Sequence, residues 1–347
     1  DAKSLDLKNR EQTLAQISTN SWDAVIVSHS ITTRISVPDA FKLDLIDQEM
    51  SEVESAISSL EDGGFHGKLT IKAHQRKLEN EKKKIEERMD SSQSYDTVNI
   101  EEMGIDALFI DEIDEFVNLN KVTNMGHVAG VNVKESAKAR SLFYLTQYMH
   151  DKFNNQGIVG ATGTDIRNNI GDQFTLLRYL APDLLREQGI EMYDDFIGTF
   201  GEIQTQFEIA PEGTGFIEKT RLSKFYNLPE LSMFYRQVAD IVNAEDAGVE
   251  RPKINELNMT SLPSPELELY MECLAQRAKA TRDGSDKSDN LLAITNDGRK
   301  VAIDIRFLDA RLPDYEDSKV NTCVKNVLSE YEGNKLLNPS QIIFSDI

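Results

Sequence analysis

Short apolar runs alternate with longer helical patterns along this chain. Residues 22–28 (Trp-Asp-Ala-Val-Ile-Val-Ser) predict a first strand, buried on both faces as in a parallel sheet covered by helices. Residues 107–110 (Ala-Leu-Phe-Ile) predict a second buried strand, and residues 157–161 (Gly-Ile-Val-Gly-Ala) a third. Residues 342–347 read as a last buried strand, stopped at its carboxyl end. Strands separated by helices argue for a parallel α/β sheet.

Between the first two strands the period changes. Ile46, Met50, Val53, Ile57 and Leu60 alternate four and three apart, the spacing of a coiled-coil seam. Gly63-Gly64-Phe65-His66-Gly67 breaks the pattern, and Ile71, Leu78 and Ile85 then recur every seven residues. This predicts an antiparallel helical hairpin over residues 40–90, coiled-coil in type. Its arms differ in charge: residues 41–62 hold seven acids against Lys42, and residues 68–88 hold eight bases against four acids. Opposite charges on facing arms set pairing and register in one reading. In the other, the basic arm reaches out to nucleic acid or a partner.

Further on, residues 172–200 have a helical pattern. Gln204–Ile209 and Gly215–Thr220, joined by Pro211-Glu212-Gly213-Thr214, predict a β-hairpin. Helices are expected at 230–243, 264–280 and 318–331, with a linker at 245–263 that contains Pro252 and Pro263. Leu291–Thr295 and Val301–Ile305 flank Asn296-Asp297-Gly298 and predict a second hairpin.

Composition narrows the class. The 347 residues suggest two domains, and they carry 38 Lys+Arg against 59 Asp+Glu, a formal charge of −21. Such acidity opposes nucleic-acid binding, which draws on Lys and Arg contacts to phosphate. No apolar run approaches the roughly 20 residues needed to span a bilayer. Two cysteines, Cys273 and Cys323, are too few for a disulfide framework and favour a reducing compartment. With His66, His74, His127 and His150 at no metal spacing, no zinc site is expected. The start at Asp1 shows no leader pattern, and with the strand-like end it suggests a piece of a larger protein.

The candidate chemistry lies at the ends of the second and third strands. Asp111 and Glu112 follow the Ala107–Ile110 run, which places two carboxylates where open α/β sheets bind ligands. In a nucleoside triphosphatase the first acid would hold Mg²⁺ and the second would orient or deprotonate the attacking water. Many buried strands also end in acids with no such role. The third strand ends in Thr162-Gly163-Thr164, either an ordinary polar turn or a contact to the acid pair that relays nucleotide state.

Taken together, Asp111-Glu112-Ile113-Asp114-Glu115-Phe116 and Thr162-Gly163-Thr164-Asp165-Ile166-Arg167-Asn168-Asn169 resemble motifs II and III of superfamily-two helicases, in the Swi/Snf-type branch. The run from Trp22 to Ile347 resembles the large helicase–methylase proteins of phages and mobile elements, including DarB-like antirestriction proteins. Leu228-Pro229-Glu230-Leu231, Ser318-Lys319-Val320-Asn321 and residues 342–347 fit that family. The resemblance implies a RecA-like parallel sheet as the rear part of a first lobe (residues 1–182) carrying the inserted hairpin. A helical and β-hairpin bridge (183–262) and the beginning of a second RecA-like lobe (263–347) would follow.

It further implies Asp111 as the Mg²⁺ ligand, Glu112 as the catalytic base, and Asp114, Thr162, Gly163 and Thr164 as the coupling between ATP and DNA. Ser28, His29 and Ser30 would lie along a nucleic-acid backbone, unless they form a plain solvated loop. Arg221 and Lys224 are weaker DNA contacts, with ordinary surface charge the alternative. Trp22 is expected to anchor a strand edge. Two departures stand out: Asp114 replaces the usual histidine, whose coupling a carboxylate is not expected to reproduce, and Asp165 replaces a proline. A phosphate loop of the form Gly-x-x-x-x-Gly-Lys-[Ser/Thr] is missing, and Gly63 to Thr70 has the wrong spacing for one. ATP and Mg²⁺ are therefore cofactors of the parent protein, and the chain alone should hydrolyse ATP negligibly and bind DNA poorly. Partners would be DNA through the parent, other segments of the same polypeptide or phage proteins, in the bacterial cytoplasm or a virion, with no membrane. The alternative is a non-catalytic structural or protein-interaction module.

Overall fold

The computed structural model describes residues 10–59, 65–91, 98–209, 216–250, 259–285, 288–337 and 340–345. These residues divide between two compact units, residues up to 206 with 219–241, and residues 207–218 with 242–347.

In the first unit a ten-residue helix, α1 (Arg10–Thr19), precedes the hairpin α2 (Asp39–Ser59) and α3 (Phe65–Ser91). Ile46, Val53, Ile71, Leu78 and Ile85 are buried in its seam, with Met50 and Ile57 partly buried beside them. Each fully buried aliphatic side chain contributes about 1.5–3 kcal/mol relative to exposure. Leu60 lies outside the described residues. Ion pairs from Asp39 to Arg88 (3.2 Å) and from Asp47 to Lys82 (2.5 Å) join the start of α2 to the end of α3, so the helices run antiparallel. The charge difference between the arms thus serves their pairing.

The hairpin is fastened down rather than projecting. Two-residue strands β1 (Ile35–Ser36) and β2 (Val98–Asn99) pair in parallel at its root, beside the short α4 (Ile100–Met103). Between β3 (Leu108–Ile110) and β4 (Ile158–Gly160) lies α5 (Ala137–Phe153), capped by Ser136. Arg140 of α5 is buried and bonds Glu49 (2.7 Å) and Glu81 (3.4 Å), one from each arm. Burial alone would push the Glu49 carboxyl up, but the guanidiniums of Arg140 and Arg178 outweigh it and hold it below its usual range. Lys77 pairs with Glu135, and Asn120 bonds His74.

β3 and β4 pair in parallel, Leu108 against Ile158 and Ile110 against Gly160. One face is covered: Leu108 and Ile158 pack with Tyr144, Leu145 and Met149 of α5. The other is open, with Phe109 80% and Val159 49% exposed. The two strands are therefore not buried on both faces as expected. Trp22–Ser28 is not a strand either: it runs as irregular chain with Ile26 99% exposed. Its apolar side chains predict burial, but no strand among the described residues hydrogen-bonds to it. Trp22 donates to Gln16 O (3.2 Å) instead of anchoring a sheet edge.

Helices α6 (Gly171–Leu180), α7 (Pro182–Glu187) and α8 (Tyr193–Phe200) follow. The expected β-hairpin is present as β5 (Gly201–Ile209) and β6 (Phe216–Phe225). α9 (Leu228–Tyr235) is shorter than the expected 230–243 and ends in a turn at 236–238. Phe174, Leu177, Leu185, Phe196, Leu222 and Phe234 share one core, so α6–α9 and the base of β6 pack as a body.

The second unit is built from α10 (Pro265–Arg282), α11 (Leu291–Ile303) and α12 (Lys319–Gly333). The predicted hairpin at 291–305 is α11 instead. Asn290 caps it by accepting from Ala293 N (2.9 Å), Ile294 and Val301 bury one heptad apart against Leu274 and Ala278, and Arg277 pairs with Asp289 and Asp297. These contacts override the Asn-Asp-Gly turn signal. The expected last strand is absent from the described residues: 340–345 are irregular, and Ile342, Ile343 and Phe344 are exposed. No helix among the described residues is long and apolar enough to cross a membrane.

Candidate functional site

Because β3 and β4 are parallel and in register, the residues after each emerge at one sheet edge. The ladder continues past both strands: Ala161 N donates to Ile110 O (2.8 Å) and Ile113 N to Ala161 O (3.0 Å). This brings the acid pair alongside the Thr-Gly-Thr turn.

Asp111 and Glu112 are both exposed. Glu112 has φ 47° and ψ 51°, the left-handed region, and begins a 3-10 turn over Ile113–Phe116. A non-glycine residue held there costs about 1–3 kcal/mol, a strain that clusters at functional sites. Asp111 Oδ1 accepts from Glu112 N (3.1 Å), which fixes one oxygen of the pair. His29 Nε2–H donates to Asp111 O (2.8 Å), and the His29 ring lies 4.9 Å from that of Phe116. The Ser28–Ser30 loop thus touches the acid pair, a contact the sequence did not indicate. Ser28 Oγ and Ser30 Oγ are 2.9 Å apart. A cavity of about 680 Å³ lies between Trp22–His29 and β3 and reaches Asp111.

Asp114 is the buried member, 2% exposed. Thr162 Oγ1 donates to its Oδ1 (2.6 Å) and accepts from Thr164 N (2.9 Å). Arg167 Nε bonds Asp114 Oδ2 (2.7 Å), while its Nη2 reaches Glu115 Oε1 (2.8 Å). Lys138 also pairs with Glu115 (2.8 Å). The Lys138 and Arg167 hydrogen bonds hold the Glu115 carboxyl below its usual range, and the bond to Glu115 raises the Arg167 pKa. The turn therefore contacts Asp114 rather than Asp111 or Glu112. The carboxylate at Asp114 does link the two segments, contrary to the expectation that it would not.

The rest of the turn is held by side chains. Buried Asp172 accepts from Arg167 N (3.0 Å) and Asn168 N (2.7 Å), and Asp165 accepts from Gln173 Nε2 (2.9 Å). A Cβ added to Gly163 would meet nothing within 4 Å, so packing does not require glycine there. Arg167 and Asp172 escaped the sequence reading because surface-type residues in a turn carry no signal of a partner. Arg221 and Lys224 stand exposed on β6, in a different sheet from the acid pair.

Acidic and hydroxyl residues converging at the carboxyl ends of two parallel strands define a mixed α/β protein with a ligand-site geometry at the sheet edge. The profile of a family described as "Probable helicase domain" matches residues 1–243, well over half of the chain. The chain belongs to this helicase-domain family. No curated protein and no solved structure matches it.

Proposed function

We propose that this chain is part of a DNA-dependent ATPase, a helicase or translocase of the Swi/Snf-like type from a phage or mobile element, built on a RecA-like sheet. The observation that supports the reading best is the Asp114–Thr162 bond, which joins the acid-pair segment to the Thr-Gly-Thr turn in a chain of the helicase-domain family. Among the described residues no group of three or more His, Cys, Asp or Glu could hold a metal. The exposed carboxylates of Asp111 and Glu112 suit Mg²⁺, which takes one or two carboxylates together with substrate phosphates and water. Bound there with ATP, the ion would neutralise charge developing on the phosphates.

Asp111 holds the metal side of the site, and its fixed Oδ1 leaves the carboxylate oriented. Glu112, turned out by its left-handed backbone, accepts the proton of the attacking water. Thr162, Gly163 and Thr164 report the state of this site through Asp114. His29 carries the same signal toward Ser28 and Ser30, which face a DNA backbone. The phosphate-binding loop comes from another segment of the parent polypeptide. The protein works in the bacterial cytoplasm, with packaging in a virion as the other setting.

The test uses the full parent protein. DNA-stimulated ATP hydrolysis should be present in the wild type and fall at least 10²-fold in Glu112→Gln, the scale of a lost general base. A folded parent with no hydrolysis would overturn the reading and leave a protein-interaction module.

A further inference from the structure

At the root of the hairpin lies a cleft of about 760 Å³, in the usual size range of small-molecule sites. It is lined by Lys42 of α2 and by Lys84 and Arg88 of α3, with the hydroxyl residues Thr33, Ser36 and Ser141 on its walls. Arg140 also lines it but is committed to Glu49 and Glu81. Of the two acids in the lining, Glu81 is engaged by Arg140 and Tyr144, and Glu87 is 3.7 Å from Lys83.

The cations are arranged. The Asp39 carboxylate accepts from Lys42 Nζ and Arg88 Nη2, each at 3.2 Å, and so holds the two head groups together from opposite helices. Lys42 also donates to Ser36 Oγ. Ala137, in the first turn of the 17-residue α5, brings the positive end of that helix to the wall. A cleft lined this way runs against a chain with 59 acids and 38 bases. Burial lowers the Lys42 pKa, which a bound anion would oppose.

We propose that this cleft binds phosphate groups. A guanidinium fork, two ammonium groups and hydroxyl donors around one space match a tetrahedral oxyanion with several acceptor oxygens. The phosphate arrives either on a small phosphorylated compound or as part of a nucleic-acid backbone. The site stands whether or not the acid pair binds Mg²⁺.

The test titrates the 347-residue chain with pyrophosphate by calorimetry, and with a fluorescent single-stranded oligonucleotide by anisotropy at low salt. Lys84→Glu changes an exposed residue and should keep the wild-type melting midpoint while weakening binding at least tenfold. Lys84→Ala should lose less in the same direction. Lys72→Glu, on the same helix but outside the cleft lining, should change affinity less than twofold. Oligonucleotide binding that pyrophosphate competes away, with log K falling by more than about 0.7 per log unit of salt, identifies a strand spanning several phosphates. Pyrophosphate binding without oligonucleotide competition identifies a small phosphorylated ligand. Saturable binding of neither probe, or equal losses in Lys84→Glu and Lys72→Glu, overturns the proposal.

Discussion

Removing Arg167 tests whether the link between the acid-pair segment and the Thr-Gly-Thr turn is electrostatic. Asp114 is buried and has two partners, Thr162 Oγ1 at 2.6 Å and Arg167 Nε at 2.7 Å. In Arg167→Ala the carboxylate keeps the hydroxyl and loses the charge that balances it. Hydrogen bonds to charged groups contribute about 1.5–3 kcal/mol. The Arg167 side chain is 44% exposed, and water replaces part of what is lost, so the lower end applies: about 1.5 kcal/mol. At about 2–4 °C per kcal/mol for a unit of this size, the melting midpoint should fall by about 3–6 °C.

Asp114→Asn keeps an acceptor for Thr162 and removes the buried charge, at a loss of about 1 kcal/mol. The double variant should then be little worse than Asp114→Asn alone, because Arg167 has no charge left to balance. Guanidinium denaturation followed by the fluorescence of Trp22, the single tryptophan, reads all four proteins in the unit that holds the site. Losses that add within about 0.3–0.5 kcal/mol would show that the two side chains do not interact and would refute the reasoning.

Three other outcomes follow from the geometry. Burial lowers the His74 pKa from 6.5 to about 4, Glu49 opposes the shift, and Arg140, Arg178 and Lys77 reinforce it. The folded state then binds fewer protons than the unfolded one between those values. Stability is full above pH 6.5 and declines on acidification, by about 2 kcal/mol near pH 5. His74→Gln should flatten that slope in melts across pH, and an unchanged slope would count against His74. Tyr179 OH reaches Phe116 O (3.0 Å) and Ala139 O (3.1 Å) from a fully buried ring, so Tyr179→Phe should cost about 1–2 kcal/mol in denaturation; a loss under about 0.5 would contradict it. Gly163→Ala meets open space and should stabilise by about 0.4–1 kcal/mol through the unfolded chain, whereas a destabilisation above 1 kcal/mol would reveal a packing demand at the turn.

The features legible in the sequence were those with local causes. The hairpin follows from a heptad pattern, and the buried seam residues are the ones that pattern picks out. α10 and α12 follow from periodicity and from the serine caps Ser264 and Ser318. The errors lie where the outcome depends on a distant partner. The Trp22–Ser28 run has the composition of a buried strand, but a strand also needs a neighbouring backbone. Its neighbour is met through a single His29 bond across 82 positions. At 291–303 a strong turn triplet lost to a cap, a heptad contact and two ion pairs, of which only the cap is local.

The same distinction bears on the substituted position in the acid motif. Read by residue type alone, aspartate in place of histidine suggests a broken connection. Asp114 and Thr162 are 48 positions apart, and the bond between them depends on the register of β3 with β4, not on the identity of the acceptor. What the carboxylate adds is a buried negative charge, and a charge at 2% exposure needs a counter-ion. Arg167, on the same turn as Thr162, supplies it. A second nitrogen of the same guanidinium holds Glu115, so the turn is tied at two points to the segment that carries Asp111 and Glu112. Any displacement of the acid pair must then move the turn or break a charged contact. Whether the parent motor turns over or not, this is the physical route by which the two segments sense each other.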